Sequence, residues 1–173
     1  MPRPPPDWEF KERDVAILRE LAKDPQISSR ALRDVLADEY DIDVSHVTVS
    51  ESIRKMREQD VFRDVIVPNE RYFRFALFEY KFNPEHFEAG WRDAMEHIRD
   101  DEHTLFYFLS DGEYQWKSIM LFLDSEQLSR WIHEFYKAHG PVVENVRIST
   151  MINVLKFGTD SSLFDELSIG DGE

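Results

Sequence analysis

The chain has 173 residues, of which 42% are hydrophobic and 13% aromatic, so it can build one large or two small packed domains. Its longest apolar runs, such as residues 118–123, are far shorter than the roughly 20 residues that span a bilayer. Cysteine is absent, which excludes disulfides, thiol catalysis and cysteine metal sites. Because no secretory signal is recognisable either, we expect a cytoplasmic protein.

The charge is strongly acidic, with 35 Asp and Glu against 21 Lys and Arg and a net charge of −14. A surface rich in carboxylates and poor in Lys is typical of a salt-adapted cytoplasm, as in halophilic archaea, and an ordinary acidic mesophilic protein is the alternative. The acid is concentrated after residue 67, where twenty acidic residues face ten basic ones, against fifteen and eleven before it. The charge therefore does not exclude a nucleic-acid partner for the first part of the chain.

Residues 1–7 are rich in Pro and are predicted to form an extended arm, and residues 8–60 have a helical period. The first helix is expected to end at Asp24-Pro25, and Ser28 and Ser45 are good N-caps for a second and a third helix. The three apolar stripes are Val15, Leu18, Leu21 and Ala22; Leu32, Val35, Leu36 and Tyr40; and Val49, Ile53 and Met56. Three narrow stripes of this kind are buried only against one another, which predicts a compact trihelical unit.

After the helices the period changes to that of strands. Residues 61–67, a turn at 68–70 and the chain from Arg71 predict a hairpin beside the helices, which completes a winged helix-turn-helix domain at 8–71. Strands at 72–82, 104–109, 114–123 and 142–157 alternate with helices at 85–100 and after the capping box of Asp124 and Gln127. This order is the ferredoxin-like βαββαβ arrangement, an α+β fold in which both helices cover one face of an antiparallel sheet. The other face is expected to be solvated or covered by a partner.

The remaining segment, 158–173, is predicted to be a mobile acidic tail, within which Leu163, Phe164 and Leu167 favour a short docking turn. The domain boundaries expected from the sequence are therefore 8–71, 72–157 and 158–173.

The third helix has the polar character of a helix that reads DNA, with small hydrogen-bonding residues in its first turns and basic residues after them. Residues of the second helix are expected to hold the DNA backbone, and two arginines to flank the wing. The predicted DNA-binding residues are Ser28, Ser29, Arg30, Arg33, Ser45, His46, Thr48, Val49, Ser50, Ser52, Arg54, Lys55, Arg57, Arg63 and Arg71. Helix spacing alone leaves open a three-helix protein-docking module.

The residues from Asp14 to Phe62 resemble the helix-turn-helix of the leucine-responsive (Lrp/AsnC) regulators. The positions in step with that pattern are Asp14, Ile17, Leu18, Leu21, Asp24, Ile27, Ser28, Leu32, Leu36, Ser45, Thr48, Val49, Ser50, Ile53, Val61 and Phe62. The second half is similar too, since Asp111-Gly112-Glu113-Tyr114 occupies the place of that family's Gly-x-Tyr loop between strands two and three. The resemblance implies a transcription regulator of promoter DNA, a homodimer or larger oligomer, and a small-molecule metabolite bound at residues 111–114.

The chain departs from the family pattern in several places. The link at 37–44 is longer and more acidic than the usual turn, and Glu51 and Ser52 stand where basic residues are common. Asp60 replaces the usual Gly, and Gln115 follows Tyr114 where Asp is frequent. These differences bear on the DNA sequence, the strength of binding and the effector.

The sequence shows no pattern of a catalytic or metal site. Its six His residues form no metal-binding pair with a supporting Glu, and it has neither a phosphate loop nor a nucleophile elbow. We therefore expect no enzyme activity, no metal and no cofactor. Two alternatives stay open: a tetrapyrrole-binding protein, because some haem-precursor decarboxylases resemble this two-part architecture, and a protein-interaction module without DNA contact.

Overall fold

The computed structural model describes residues 8–167; the N-terminal arm expected at 1–7 and the tail after residue 167 lie outside them. By its contacts the chain divides into two compact units. A helical unit runs to Val65 and resumes at Lys156, and an α+β unit comprises Ile66–Leu155. Within the described residues, no helix has both the length and the apolar character needed to cross a membrane.

The helical unit contains α1 (Glu12–Lys23), α2 (Ser29–Tyr40) and α3 (His46–Glu58). Both predicted N-caps are confirmed: the Ser28 hydroxyl accepts from the backbone N–H of Ala31 at 3.2 Å, and that of Ser45 from the backbone N–H of Thr48 at 3.1 Å. Each cap satisfies one of the N–H groups that a helix leaves free at its start. The predicted stripes form the core, in which Leu32, Leu36 and Val49 have no exposed surface.

The expected long link between α2 and α3 is wrong, because α2 continues through Tyr40 and the link is only residues 41–45. The extra helical turn is anchored by Tyr40, whose hydroxyl donates to Glu20 Oε1 at 2.6 Å. Asp41 then ends the helix in the left-handed conformation at φ 56°, which Asp adopts more readily than most residues. The turn is therefore short although it lacks glycine.

The hairpin predicted at 61–71 is also not formed, since no residue from 61 to 73 lies in a strand. Val65 is 53% exposed and Ile66 is 93% exposed, so this stretch has no buried face that fixes a strand register. Pro68 also lacks the N–H group that a ladder requires. Strand-favouring side chains without a buried face do not produce a wing here.

The α+β unit contains β1 (Arg74–Phe82), α4 (Phe87–Asp100), β2 (Thr104–Leu109), β3 (Trp116–Phe122), α5 (Ser125–His139) and β4 (Val143–Thr150). The sheet order is β2-β3-β1-β4 and every pair is antiparallel, which confirms the predicted α+β, ferredoxin-like arrangement. Asp124 caps α5 as predicted, accepting from the backbone N–H of Gln127 at 2.8 Å. The last strand is shorter than expected and ends at Thr150.

The core of the α+β unit lies between the sheet and its two helices and is dominated by aromatic rings. Phe78 and Tyr80 of β1 are fully buried, and the Phe78 ring meets the Trp131 ring of α5 edge-on with centroids 5.0 Å apart. The Tyr80 hydroxyl is hydrogen-bonded to Ser118 Oγ at 2.9 Å. Burial raises the pKa of Tyr80, so this phenol stays neutral and keeps the strand fixed in the core.

The C-terminal segment is ordered over a 3-10 helix, Ser161–Glu166. Phe164 and Leu167 pack against the core of the helical unit, as the predicted docking turn required. Leu163, in contrast, is 61% exposed and does not take part in that packing.

Candidate nucleic-acid interface

One side of α3 faces the core of the helical unit and the opposite side is open. Val49 has no exposed surface and Ser52 is 4% exposed, because both lie on the side that packs against the other helices. A side chain without exposed surface makes no contact with a DNA groove. We therefore remove Val49 and Ser52 from the predicted DNA-binding residues and assign them to packing.

The centre of the open side is a row formed by Val47, Ser50 and Arg54, which are spaced three and four residues apart. His46 and Glu51 flank this row and are exposed. Sequence reasoning missed Val47, which is 53% exposed although it is apolar. The signal was its position off the apolar stripe of α3, and a methyl-bearing side chain there suits the methyl group of thymine.

The hydroxyl groups at the start of α3 are held in place by one another. Ser45 Oγ lies 2.9 Å from Thr48 Oγ1, and the Ser50 hydroxyl donates to Ser29 Oγ at 2.8 Å. The second of these contacts joins the two helices of the helix-turn-helix. The structure thus brings Ser29, at the start of α2, into contact with the polar face of α3.

Four of the predicted DNA-binding arginines pair with carboxylates of the same unit. Arg54 Nη1 donates to Glu58 Oε1 at 2.6 Å, and Arg57 Nε lies 2.7 Å from Asp64 Oδ2. The other two pairs are Arg63 with Asp60 and Arg33 with Asp34. All eight groups are exposed, so these ion pairs are weak and exchange readily.

Arg30 and Lys55 are exposed and have no carboxylate partner within residues 8–167. Both can bind a phosphate without first breaking an ion pair. Arg71 belongs to the α+β unit, so its assignment to the DNA surface stays a prediction.

A cavity of about 400 Å³ lies where the first turn of α1 meets one side of α3. Its walls include Trp8, Asp14, Thr48 and Lys55, so it borders the predicted DNA surface. Asp14 is only 2% exposed and accepts a hydrogen bond from the backbone N–H of Lys11 at 3.3 Å. This contact caps the start of α1.

The predicted effector loop, residues 111–114, connects β2 to β3, and Gly112 adopts φ +89°, which L side chains rarely adopt. Its side chains are bound to neighbouring strands rather than free. Glu113 accepts from Lys81 at 2.8 Å, which lowers the pKa of Glu113, and the Tyr114 hydroxyl accepts from Asn145 at 2.9 Å. Arg147 lies over the Tyr114 ring, 4.5 Å from its centroid. Asp111 is exposed at the tip.

The face of the sheet opposite the two helices has a charged end and an apolar end. At the charged end Glu79 lies between Lys117, at 3.3 Å, and Arg147, at 3.7 Å, on the two neighbouring strands. At the apolar end Leu77 is paired with Ile119, which is in turn paired with Phe106 of the edge strand. Phe106 is 48% exposed, whereas Phe108 is paired with Lys117 at the charged end. Further along the face Phe75 is only 5% exposed, so the open part of the apolar end is formed by Leu77, Ile119 and Phe106.

Two histidines of the α+β unit contact each other. His97 Nδ1 of α4 and His139 Nε2 of α5 are 2.9 Å apart, and burial lowers the pKa of His139, helped by the neighbouring His97. The part of the chain that the structure describes contains no group of three or more His, Asp or Glu residues placed to hold a metal ion.

The fold has clear counterparts among solved structures. An AsnC family transcriptional regulator from Agrobacterium tumefaciens superposes with a TM-score of 0.71, covering 91% of this chain and all of its own at 15% identity. AsnC of E. coli gives 0.68, covering 89% of this chain and 99% of its own at 11% identity. This chain has the AsnC-type fold. A regulator from Neisseria meningitidis solved as an L-Met complex also matches, with a TM-score of 0.68, 14% identity, and coverage of 87% and 95%.

No protein-family model matches the sequence, and no curated protein matches it either. The likeness therefore lies in the arrangement of helices and strands, which explains why the resemblance read from the sequence rests on scattered positions.

Proposed function

We propose that this AsnC-type chain is a sequence-specific, double-stranded-DNA-binding transcription regulator, without enzyme activity, that acts as a dimer or larger oligomer and responds to a small metabolite. The observation that carries the proposal is the open side of α3, where the row of Val47, Ser50 and Arg54 stands on a helix capped at its start by Ser45. A helix with this combination suits the major groove, in which it offers a methyl contact, a hydroxyl and a guanidinium group.

The charge pattern of the helical unit supports two ways of binding phosphates. Arg30 and Lys55 bind phosphates directly, and Arg54 and Arg57 do so by exchanging a carboxylate for a phosphate. Exposed ion pairs contribute about 0–1 kcal/mol, so this exchange costs little. In concentrated salt the gain from counterion release shrinks, and contacts with base edges then supply more of the specificity.

Assembly is proposed through the open face of the sheet. Its apolar end, with Leu77, Ile119 and Phe106, is suited to a second protein surface, and its charged pairs are satisfied within the face. We propose that a second copy of the chain covers this face. Two copies would place their recognition helices in a two-fold arrangement, as near-palindromic DNA sites require.

The proposed effector is a small metabolite at residues 111–114, and an amino acid is the class to test first, because one of the similar structures is an L-Met complex. In this loop Glu113 and Tyr114 contact residues of two other strands, so a ligand that displaced them would also change the sheet face. Thermal-shift screening with amino acids tests this step. Without stabilisation by any of them, the α+β unit is better described as an assembly domain.

The DNA-binding proposal is tested by measuring affinity for a selected site and for random duplex DNA at two salt concentrations. Ser50→Ala and Thr48→Ala are expected to lower the ratio between the two affinities, since each base contact contributes about 1–3 kcal/mol of discrimination. Arg54→Ala and Arg57→Ala are expected to weaken both affinities alike. His133→Ala, an exposed change in the α+β unit, is the control. Equal losses on both DNAs in all four variants would show that α3 is not the reading helix.

A further inference from the structure

The middle of helix α1, from Asp14 to Leu18, is buried on all sides, which two neighbouring helices alone do not explain. The five consecutive residues from Asp14 to Leu18 are each at most 6% exposed. At 3.6 residues per turn, five consecutive residues point in all directions around a helix. The sequence predicted burial of one stripe only, so a further element must cover the rest.

The C-terminal 3-10 helix, Ser161–Glu166, packs on α1 and provides part of this cover. Phe164 and Leu167 join the core that contains Ala16, Ile17 and Leu18. Beside them the Arg19 guanidinium donates to Asp165 Oδ1, which raises the pKa of Arg19. Arg19 lies one turn after Val15 and Ala16, so the segment that pairs with Arg19 covers this side of the helix.

The segment also has its own local order, so its contact with α1 is that of a formed element. Asp160 caps the 3-10 helix by accepting from the backbone N–H of Ser162 at 3.1 Å and from its hydroxyl at 2.8 Å. These bonds lower the pKa of Asp160, the backbone one most. The backbone N–H of Leu167 closes the helix on the carbonyl of Phe164.

We propose that the outer face of α1 is a docking surface for the chain's own C-terminal segment, residues 160–167, and that this segment is the fourth element of the DNA-binding domain. The α+β unit is then an insertion in that domain, connected to it at both of its ends. The anchors are one aromatic side chain, Phe164, one aliphatic side chain, Leu167, and one ion pair between Arg19 and Asp165. The docking holds α1 against α2 and α3; its effect on DNA affinity rests on the proposed function, whereas the docking itself does not.

The closing experiment is hydrogen–deuterium exchange on the full chain and four variants. In a chain that ends at Phe157, the amides of α1 are expected to exchange at least about tenfold faster, because loss of this cover opens the helix locally. The amides of α4 are expected not to change. Asp165→Arg should accelerate exchange in α1 several-fold, and Arg19→Asp combined with Asp165→Arg should restore most of the protection.

Glu166→Arg is the matched control, because it makes the same charge change one residue further on, at an exposed position without an ion pair among the described residues. It is expected to exchange like the parent chain. Unchanged exchange of α1 in the shortened chain, or equal behaviour of Asp165→Arg and Glu166→Arg, would overturn the proposal.

A second measurement establishes that the docking occurs within one chain. The chain has no cysteine, so Arg19→Cys with Asp165→Cys provides a unique pair for a short bis-maleimide cross-linker. Cross-linked product of monomer size on a denaturing gel is expected, and dimer-sized product would contradict docking within the chain. DNA affinity is measured separately. If hydrogen exchange changes as expected but the chain binds no DNA, the docking stands and the proposed function is refuted.

Discussion

The two units of the molecule expose surfaces of opposite kinds. The open side of α3 in the helical unit is polar, with exposed arginines in weak pairs with carboxylates. The open face of the sheet in the α+β unit is apolar at one end, and at the other end its charges are closely paired across the strands. A hydrated polyanion such as DNA suits the first surface and a second protein suits the second. A strongly acidic chain can therefore still present a nucleic-acid surface, because the character of each unit is set locally.

The largest expected effect tests whether the two units have separate cores. Phe78→Ala removes a fully buried ring that packs against Trp131 and should cost roughly 3–5 kcal/mol of stability in the α+β unit. Leu36→Ala should cost roughly 2–5 kcal/mol in the helical unit. Hydrogen exchange across a urea titration measures the loss of stability in each unit separately. If either variant destabilised the two units equally, they would share a single cooperative core.

The next effect concerns the open sheet face. Phe106→Lys places a charge on the apolar end and is expected to weaken self-association at least about tenfold, a difference of about 1.4 kcal/mol. Leu109→Lys, on the same strand but paired with Trp116 of the helix-covered side, is the control and should associate like the parent chain. Sedimentation velocity over a range of concentrations measures both. Association that is equally weak in the two variants would place the interface elsewhere.

A smaller effect is expected at Asp60, which stands where the pattern that the sequence resembles commonly has Gly. Asp60 adopts φ 55° at the end of α3, a conformation that Gly adopts without strain and β-branched residues adopt poorly. Asp60→Val should destabilise the helical unit by about 1–2 kcal/mol, and Asp60→Gly should leave it within about 1 kcal/mol of the parent. Urea unfolding measures both, and equal stability of the two variants would mean that this backbone conformation is not required.

The smallest effect is a pH dependence confined to the α+β unit. Burial lowers the pKa of His139, so below its usual value of about 6.5 the unfolded state binds more protons than the folded state. The stability of this unit should therefore be fully present above that pH and decrease as the pH falls below it. Asp93 lies near the pair and acts in the opposite direction on the pKa of His139.

Two histidine variants separate this effect from the general acid sensitivity of the chain. His139→Gln should reduce the slope of stability against pH between 5 and 7, and His133→Gln, an exposed change on the same helix, should leave it unchanged. If the two variants had equal slopes, the contact between His97 and His139 would not be the source of the pH dependence.

The sequence predicted those parts of the fold that depend on local signals. Ser28, Ser45 and Asp124 act as helix caps because a hydroxyl or carboxylate at that position satisfies a free N–H whatever lies further away. The order of elements in the α+β unit followed from the alternation of apolar periods. The wing was not predictable in this way, since residues 61–67 are rich in β-branched and aromatic side chains although Val65 and Ile66 are exposed.

The candidate site was predicted as a region but not residue by residue. The polar and basic character of α3 was visible in the sequence, but the side of the helix that faces the core was not assigned correctly for Ser52. The pairing of Arg57 with Asp64, and that of Arg19 with Asp165 across most of the chain length, depend on tertiary structure and have no local signal. Val47, which is 53% exposed, was missing from the prediction, whereas the buried Val49 was included in it.

Chromatin immunoprecipitation with sequencing of a tagged copy in the native host tests the central claim most directly, because it requires no assumption about the DNA site or the salt concentration. The parent chain is expected to give a limited set of sharp promoter peaks that share a motif, and a Ser50→Ala, Arg54→Ala variant should lose most of them. A flat profile for the parent chain under several growth conditions would contradict a DNA-binding regulator. Absorbance of the purified protein in the Soret region would then show whether it carries a tetrapyrrole instead.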